Sequence, residues 1–301
     1  MPDPKPLALP ADVVYLYDGS LAGFFCCLFE SVYLRELPAD ICPAAEASPV
    51  LFSQKQIVTD QEKARRARES IPKKIGPRAL ELVRNVFYGC LKQKELALLR
   101  FLLLAYREGG KIMAMRGHPA LAPLLRAEGH LLREQHLLKG FIRFADSEGA
   151  LTAVIAPKNF VLPYLAGHFA RRFGEETFMI YDQTHKAALL CQKRRWRIIP
   201  LEWMAPPPAG ETEAYYQGLW RQFYQTVAIP SRSNPRCRMT NMPKRYWANM
   251  TEMAEMAEVT EAAAGMRGVT EAPAPAGEAP LASPVSPSPV SPATRSIRYK
   301  P

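Results

Sequence analysis

The sequence predicts an α+β fold, rich in helix in its first half and built in its second half on an antiparallel sheet with packed helices. Three observations carry this expectation. Apolar residues at helical spacing dominate up to Lys139, short alternating or continuous apolar runs replace them from Gly140 to Leu201, and one helical stretch, KNFVLPYLAGHFARRFG (158–174), interrupts those runs. The chain has 301 residues and 48% apolar content, enough for one large domain or two small ones. The expected organisation is one α+β domain over 1–253, divisible into subdomains 1–139 and 140–253, followed by a tail over 254–301.

VVYLYD (13–18) reads as a buried first strand, and the Gly-Ser turn after it caps a helix running to about Glu36. IVTD (57–60) reads as a second strand whose Thr59 or Asp60 caps the basic helix QEKARRARES. PRALELVRNVFYGCL opens on a proline suited to a first helical turn, KELALLRFLLLAYREGG closes on a glycine pair, and HPALAPLLRAEGHLLREQHLLKG is helical through about Lys139. Strands follow at 140–146, 151–157, 177–182, 187–192 and 195–201, with short polar connections between the first two and between the third and fourth that predict antiparallel hairpins. ETEAYYQGLWRQFYQTV (211–227) is the last helix. The tail contains EAPAPAGEAPLASPVSPSPVSPATR, with too few large apolar groups to offset its chain entropy, so it reads as disordered.

The formal net charge of +10 points toward a polyanion, and the tail, which holds more Glu than Lys and Arg, contributes none of it. LAGFFCCLF is too short to cross a membrane, FLLLAY follows Arg100 directly, and the N-terminus lacks a secretory pattern, so a cytoplasmic protein is expected. Six cysteines without CxxC or finger spacing predict reduced thiols, no metal and no cofactor held by this chain.

Charge is concentrated in SRSNPRCRMTNMPKRYWANM (231–250). No Asp or Glu occurs between Glu213 and Glu252, while six Lys and Arg do. Guanidinium groups fork onto phosphates, aromatic rings stack on bases and Asn reads base edges, so Arg232, Asn234, Arg236, Lys244, Arg245, Tyr246 and Trp247 are candidate nucleic-acid contacts on an extended arm. In the alternative, Tyr246 and Trp247 pack the arm on the core and its arginines are solvated. KRRWR (193–197) reads as a basic hairpin tip. Candidate catalytic groups are Glu134, His136 and His168, the last at helical spacing from Arg171 and Arg172, which with Arg143 extend the candidate phosphate contacts. No P-loop, GxSxG, dinucleotide fingerprint or zincin pattern is present.

YDGSLAGFFCCLFES, REQHLLKGFIRF, PKNFVLPYLAGHFARRF with FMIYDQTHKAALL, and SRSNPRCRMTNMPKRYWANMTEM, in this order, resemble the bacterial family of domain of unknown function 4130, described as a probable DNA metabolism protein. The resemblance spans about 13–253, and QTHK after Asp182 departs from the family's pattern. It implies a DNA-repair or DNA-modification setting beside a radical SAM protein, with uracil-DNA glycosylase as an associated activity in some members. A nucleic-acid-binding accessory protein is therefore expected first. An enzyme using a His/Glu/Arg site and a protein-interaction scaffold are the alternatives.

Overall fold

The first strand, β1 (Leu9–Tyr17), is buried over its second half, where Val14, Tyr15 and Tyr17 are covered and Val13 and Leu16 partly so, as fits a strand paired on both edges. The computed structural model describes residues 8–47, 51–147, 149–204 and 210–253, all within one compact unit. The expected tail lies outside the described residues. Ser20 accepts from the Gly23 amide at 2.9 Å and starts α1 (Leu21–Leu34), which Arg35 closes in the left-handed region at φ 56°. Gly23 has no room for a side chain: a Cβ there would lie 2.2 Å from Asp18 Oδ1.

The chain returns in β2 (Glu36–Pro43), parallel to β1, and crosses to β3 (Ser53–Gln56) on the other side of β1, also parallel. The strand expected over 57–60 begins earlier. Ile57 adds one more bond, its amide to Leu16 O at 2.7 Å, and the chain then loops to Asp60, which accepts from the Glu62 and Lys63 amides and caps α2 (Gln61–Lys74). The sequence reading missed β2, an edge strand where Pro38 and Pro43 are tolerated. Helices α3 (Pro77–Phe87), α4 (Lys94–Glu108) and α5 (Ala122–Phe141) complete this half, and their apolar faces join α1 and α2 in one hydrophobic cluster.

At 20 residues α5 is about 30 Å long, which takes it from one core to the other. Leu124 and Ala127 belong to the first cluster and Leu138 to the second. The helix persists to Phe141, so the strand expected from 140 is shortened to β4 (Ala145–Ser147). It leads a five-stranded sheet of order β4-β5-β6-β7-β8, with β5 (Ala150–Ile155), β6 (Phe178–Asp182), β7 (Ala187–Gln192) and β8 (Arg195–Pro200). Neighbours are antiparallel except β5 and β6, whose connection is the crossover helix α6 (Leu162–Phe173), and such a crossover makes its strands parallel. Two left-handed residues, Lys193 and Arg194, form the β7–β8 turn, as a type I′ hairpin requires. Leu162, Leu165 and Phe169 of α6 pack with Ile155, Phe178, Ile180 and Leu189 of the sheet. The halves are joined by Phe160 N to Tyr88 O at 2.8 Å, Cys90 N to Asn159 Oδ1 at 3.0 Å and Tyr164 Oη to Asn85 Oδ1 at 2.8 Å. Among the described residues no helix is long and apolar enough to cross a membrane.

Candidate nucleic-acid interface

The basic segment after α7 (Glu211–Thr226) is not an extended arm. Pro235 occupies the first turn of a short helix, α8 (Pro235–Asn241), where its missing amide costs nothing, and Asn234 Oδ1 caps that helix by accepting from Cys237 N at 3.0 Å. Asn234 is therefore a helix cap and its acceptor is already used. Lys244–Asn249 form a 3₁₀ turn that drives Tyr246 and Trp247 into the second core beside Met250 and Met253. Trp247 is 5% exposed and donates Nε1–H to Met242 O at 3.0 Å, which removes both rings from the candidate base-stacking set. Burial, opposed by Arg245, pushes the Tyr246 hydroxyl up to about 12.

Two ion pairs fasten this segment to the rest of the fold. Glu134, on α5 and fully covered, has Oε1 accepting from Arg245 Nη2 at 3.0 Å, Tyr246 Oη at 3.0 Å and Lys158 N at 3.2 Å. Its Oε2 accepts from Asn159 N at 2.8 Å and Asn159 Nδ2 at 2.6 Å. With five donors and no exposure, Glu134 is a structural anchor, not a proton-transfer group, and Arg245 is held by it. The second pair joins Arg143 to Glu252, with Nη2 to Oε1 at 2.6 Å and Nε to Oε2 at 3.1 Å, and Trp220 Nε1 adds a third bond at 2.9 Å. Burial alone would push the Glu252 carboxyl up, but the donors from Arg143, its own backbone and Trp220 bring it below the usual range. The positive charge of Arg143 is thereby neutralised by a carboxylate 109 residues away.

His136 stands on the exposed face of α5, two residues from the buried Glu134, and is absent from the groove that gathers the other candidates. That groove, about 530 Å³, runs between the ends of α5 and α6 and the helix α7. Lys139, Arg143 and Arg172 line it, and Tyr216 and Trp220 of α7 face into the same space. Arg143 is committed to Glu252, whereas Lys139 and Arg172 have no carboxylate partner among the described residues. His168 lies on α6 nearby. Burial, with the charges of Lys139, Arg172 and Arg171 behind it, holds its imidazole below the ordinary value. Of His136, Arg143, His168 and Arg172, expected to share one site, the groove takes in Arg143 and Arg172, His168 lies beside the charges of Lys139, Arg172 and Arg171, and His136 is outside the lining.

The sequence reading missed α7 as a functional element. None of its residues is buried, and it exposes Tyr215 (64%), Tyr216 (61%), Phe223 (56%) and Trp220 (40%). A helix that turns this many rings to solvent offers a surface. Arg232, Arg236 and Lys244 also remain exposed, with Lys244 Nζ 5.7 Å above the covered Trp247 ring. Arg171 and Arg172 occupy the last turn of α6, where the helix dipole favours cations whatever else they do.

Fold and groove define a class: an α+β protein of two joined cores whose second half carries a cationic, aromatic-lined groove. Residues 92–252, just over half of the chain, match the family described as a domain of unknown function, DUF4130, and the chain belongs to that family. The match takes in both ion pairs and the groove, and it leaves β1 to α3 outside. No curated protein and no solved structure matches the chain.

Proposed function

We propose that this chain is a nucleic-acid-binding accessory protein of DNA repair or modification, cytoplasmic, acting beside a radical SAM enzyme and a uracil-DNA glycosylase, and that single-stranded nucleic acid lies in the α5–α6–α7 groove. The setting and the two enzyme partners follow from the family resemblance. The observation that carries the binding mode is the placement of Lys139 and Arg172, neither in an ion pair among the described residues, opposite exposed Tyr216 and Trp220 across one groove whose one carboxylate in the lining, Glu213, accepts from Asp146 N and Gln217 Nε2. Phosphates would lie along the cations and bases on the rings, the division of labour used by sequence-tolerant single-strand binders.

Fluorescence anisotropy of a labelled single-stranded DNA over a salt series tests this. Contacts from Lys139, Arg171 and Arg172 give a log-log salt slope near roughly −2, from about −0.7 per contact, and Arg172→Ala makes it shallower by one contact's share. Tyr216→Ala lowers affinity by about 1 to 3 kcal/mol with the slope intact, because stacking releases few ions. The exposed Leu219 and Phe223 on the same helix favour a second reading, a docking face for a protein partner. Absence of DNA binding at low salt supports that scaffold role and removes the first.

His168 supplies an independent readout. Its lowered pKa means that folding favours the neutral ring, so its contribution is present above the unfolded value near 6.5 and is lost as pH falls below it. A bound polyanion reverses the cause. In NMR titrations His168 should gain protons at higher pH when DNA is present, and an unchanged titration would mean that no phosphate comes near.

A further inference from the structure

Two parallel strand pairs, β1–β2 in the first half and β5–β6 in the second, end on the same space. A cleft of about 610 Å³ between the halves is lined by Gly19, which follows β1, by Pro43 at the end of β2, by Lys158, which follows β5, and by His185, which follows β6. In open sheets with parallel strands the crevice outside their carboxyl ends, where neighbouring connections diverge, is the habitual ligand position, and the order β2-β1-β3 places such a divergence at β1.

The chemistry at this cleft is organised. Asp182, with no exposed surface, accepts at Oδ1 from the Thr184 and His185 amides at 3.0 and 3.1 Å, which fixes the turn. Its Oδ2 lies 2.7 Å from His185 Nδ1. A carboxylate can only accept, so His185 turns a protonated Nδ1 toward Asp182, and in the neutral ring this tautomer leaves a lone pair on Nε2. The His185 side chain is 27% exposed, and its ring packs edge-on to Phe160 at 5.4 Å. Lys94 and Lys158 stand on the cleft without a carboxylate partner among the described residues, while Asp40 and Glu46 lie at the β2 end. The cleft thus offers cationic donors for an anion and, in Asp40, Glu46 and Glu95, carboxylates that accept hydrogen bonds.

We propose that this cleft is a binding site for a nucleoside monophosphate, with Lys94 and Lys158 on the phosphate, His185 Nε2 accepting from a ligand hydroxyl or amine, and Asp182 acting as a positioning residue for His185. The site is separate from the groove on α7 and stands or falls without it. No bond is made or broken in this proposal.

The test is saturation-transfer NMR with an equimolar mixture of the four 5′-ribonucleoside monophosphates on the full chain, followed by calorimetric titration of the strongest binder. Parallel titrations use inorganic phosphate and the matching nucleoside. Binding of a nucleotide, tighter than either fragment, is expected. Lys158→Ala, at an exposed position, should weaken it roughly tenfold or more, the cost of a charge-assisted contact. Asp182→Asn turns a donor toward Nδ1 and so should move the proton to Nε2, seen in the imidazole ¹⁵N shifts of His185, with loss of nucleotide affinity, while Arg107→Ala, exposed and outside both sites, should change nothing. The proposal is overturned if no nucleotide binds at millimolar concentration, or if Lys158→Ala and Asp182→Asn, both folded by thermal melt, bind as wild type does.

Discussion

Glu134→Ala should lower unfolding free energy by about 3 to 5 kcal/mol, because it strips five donors of their acceptor and leaves Arg245 without its counter-charge over a covered site. For a domain with ordinary stability of roughly 5 to 15 kcal/mol this is a large fraction. Glu134→Gln should not rescue it. Each carboxylate oxygen accepts from at least two donors, so an amide nitrogen at either position faces donors with a donor. Urea unfolding measures the loss, and a change below about 1 kcal/mol in either variant would show that the anchor holds nothing.

Trp247→Ala is the second large effect and separates the packing role from a nucleic-acid role. Removing a Trp that is 5% exposed and fixed by Met242 O should cost about 3 to 5 kcal/mol. Under conditions where the variant is still folded, its DNA affinity and salt slope should match wild type. Tyr216→Ala should behave in the opposite way, with stability unchanged and affinity reduced, since its ring is 61% exposed. Differential scanning calorimetry alongside DNA titration distinguishes the two. If Trp247→Ala lost DNA binding while its melting temperature stood still, the ring would be a contact surface after all.

What the sequence revealed depended on how local the physics was. Ser20, Asp60 and Pro77 act within a turn of where they stand, so the starts of α1, α2 and α3 were legible from neighbouring residues. β2 was not, because ELPADICP owes its strand geometry to pairing with β1 and to an edge position that forgives proline. The parallel β5–β6 pair was implicit in the helix between the strands, although hairpin signals around it pointed to an antiparallel sheet.

The candidate site failed and succeeded for the same reason. A window around 231–250 contains cations and no carboxylate, yet Arg245 meets Glu134, 111 residues away, and Arg143 meets Glu252, 109 residues away. Charge counted along the chain overstates charge in space wherever such pairs form. Tyr246 and Trp247 looked like stacking platforms because composition does not say which side of a ring is covered. Conversely Tyr216 and Trp220 sit in a helix whose apolar residues ordinarily signal a buried face, and only the structure shows that none of the helix's residues is buried. Arg172 and His168 were visible together, because helical spacing fixes which of their neighbours share a face.

The central claim is that single-stranded nucleic acid occupies the groove between α6 and α7. Ultraviolet crosslinking of the intact protein to single-stranded DNA, with the modified residues mapped by mass spectrometry, tests it most directly. Crosslinks on Tyr216 or Trp220, reduced by Arg172→Ala, are the predicted result. A chain that crosslinks only through the α8 segment or the β7–β8 hairpin, or that does not crosslink at low salt, contradicts the account.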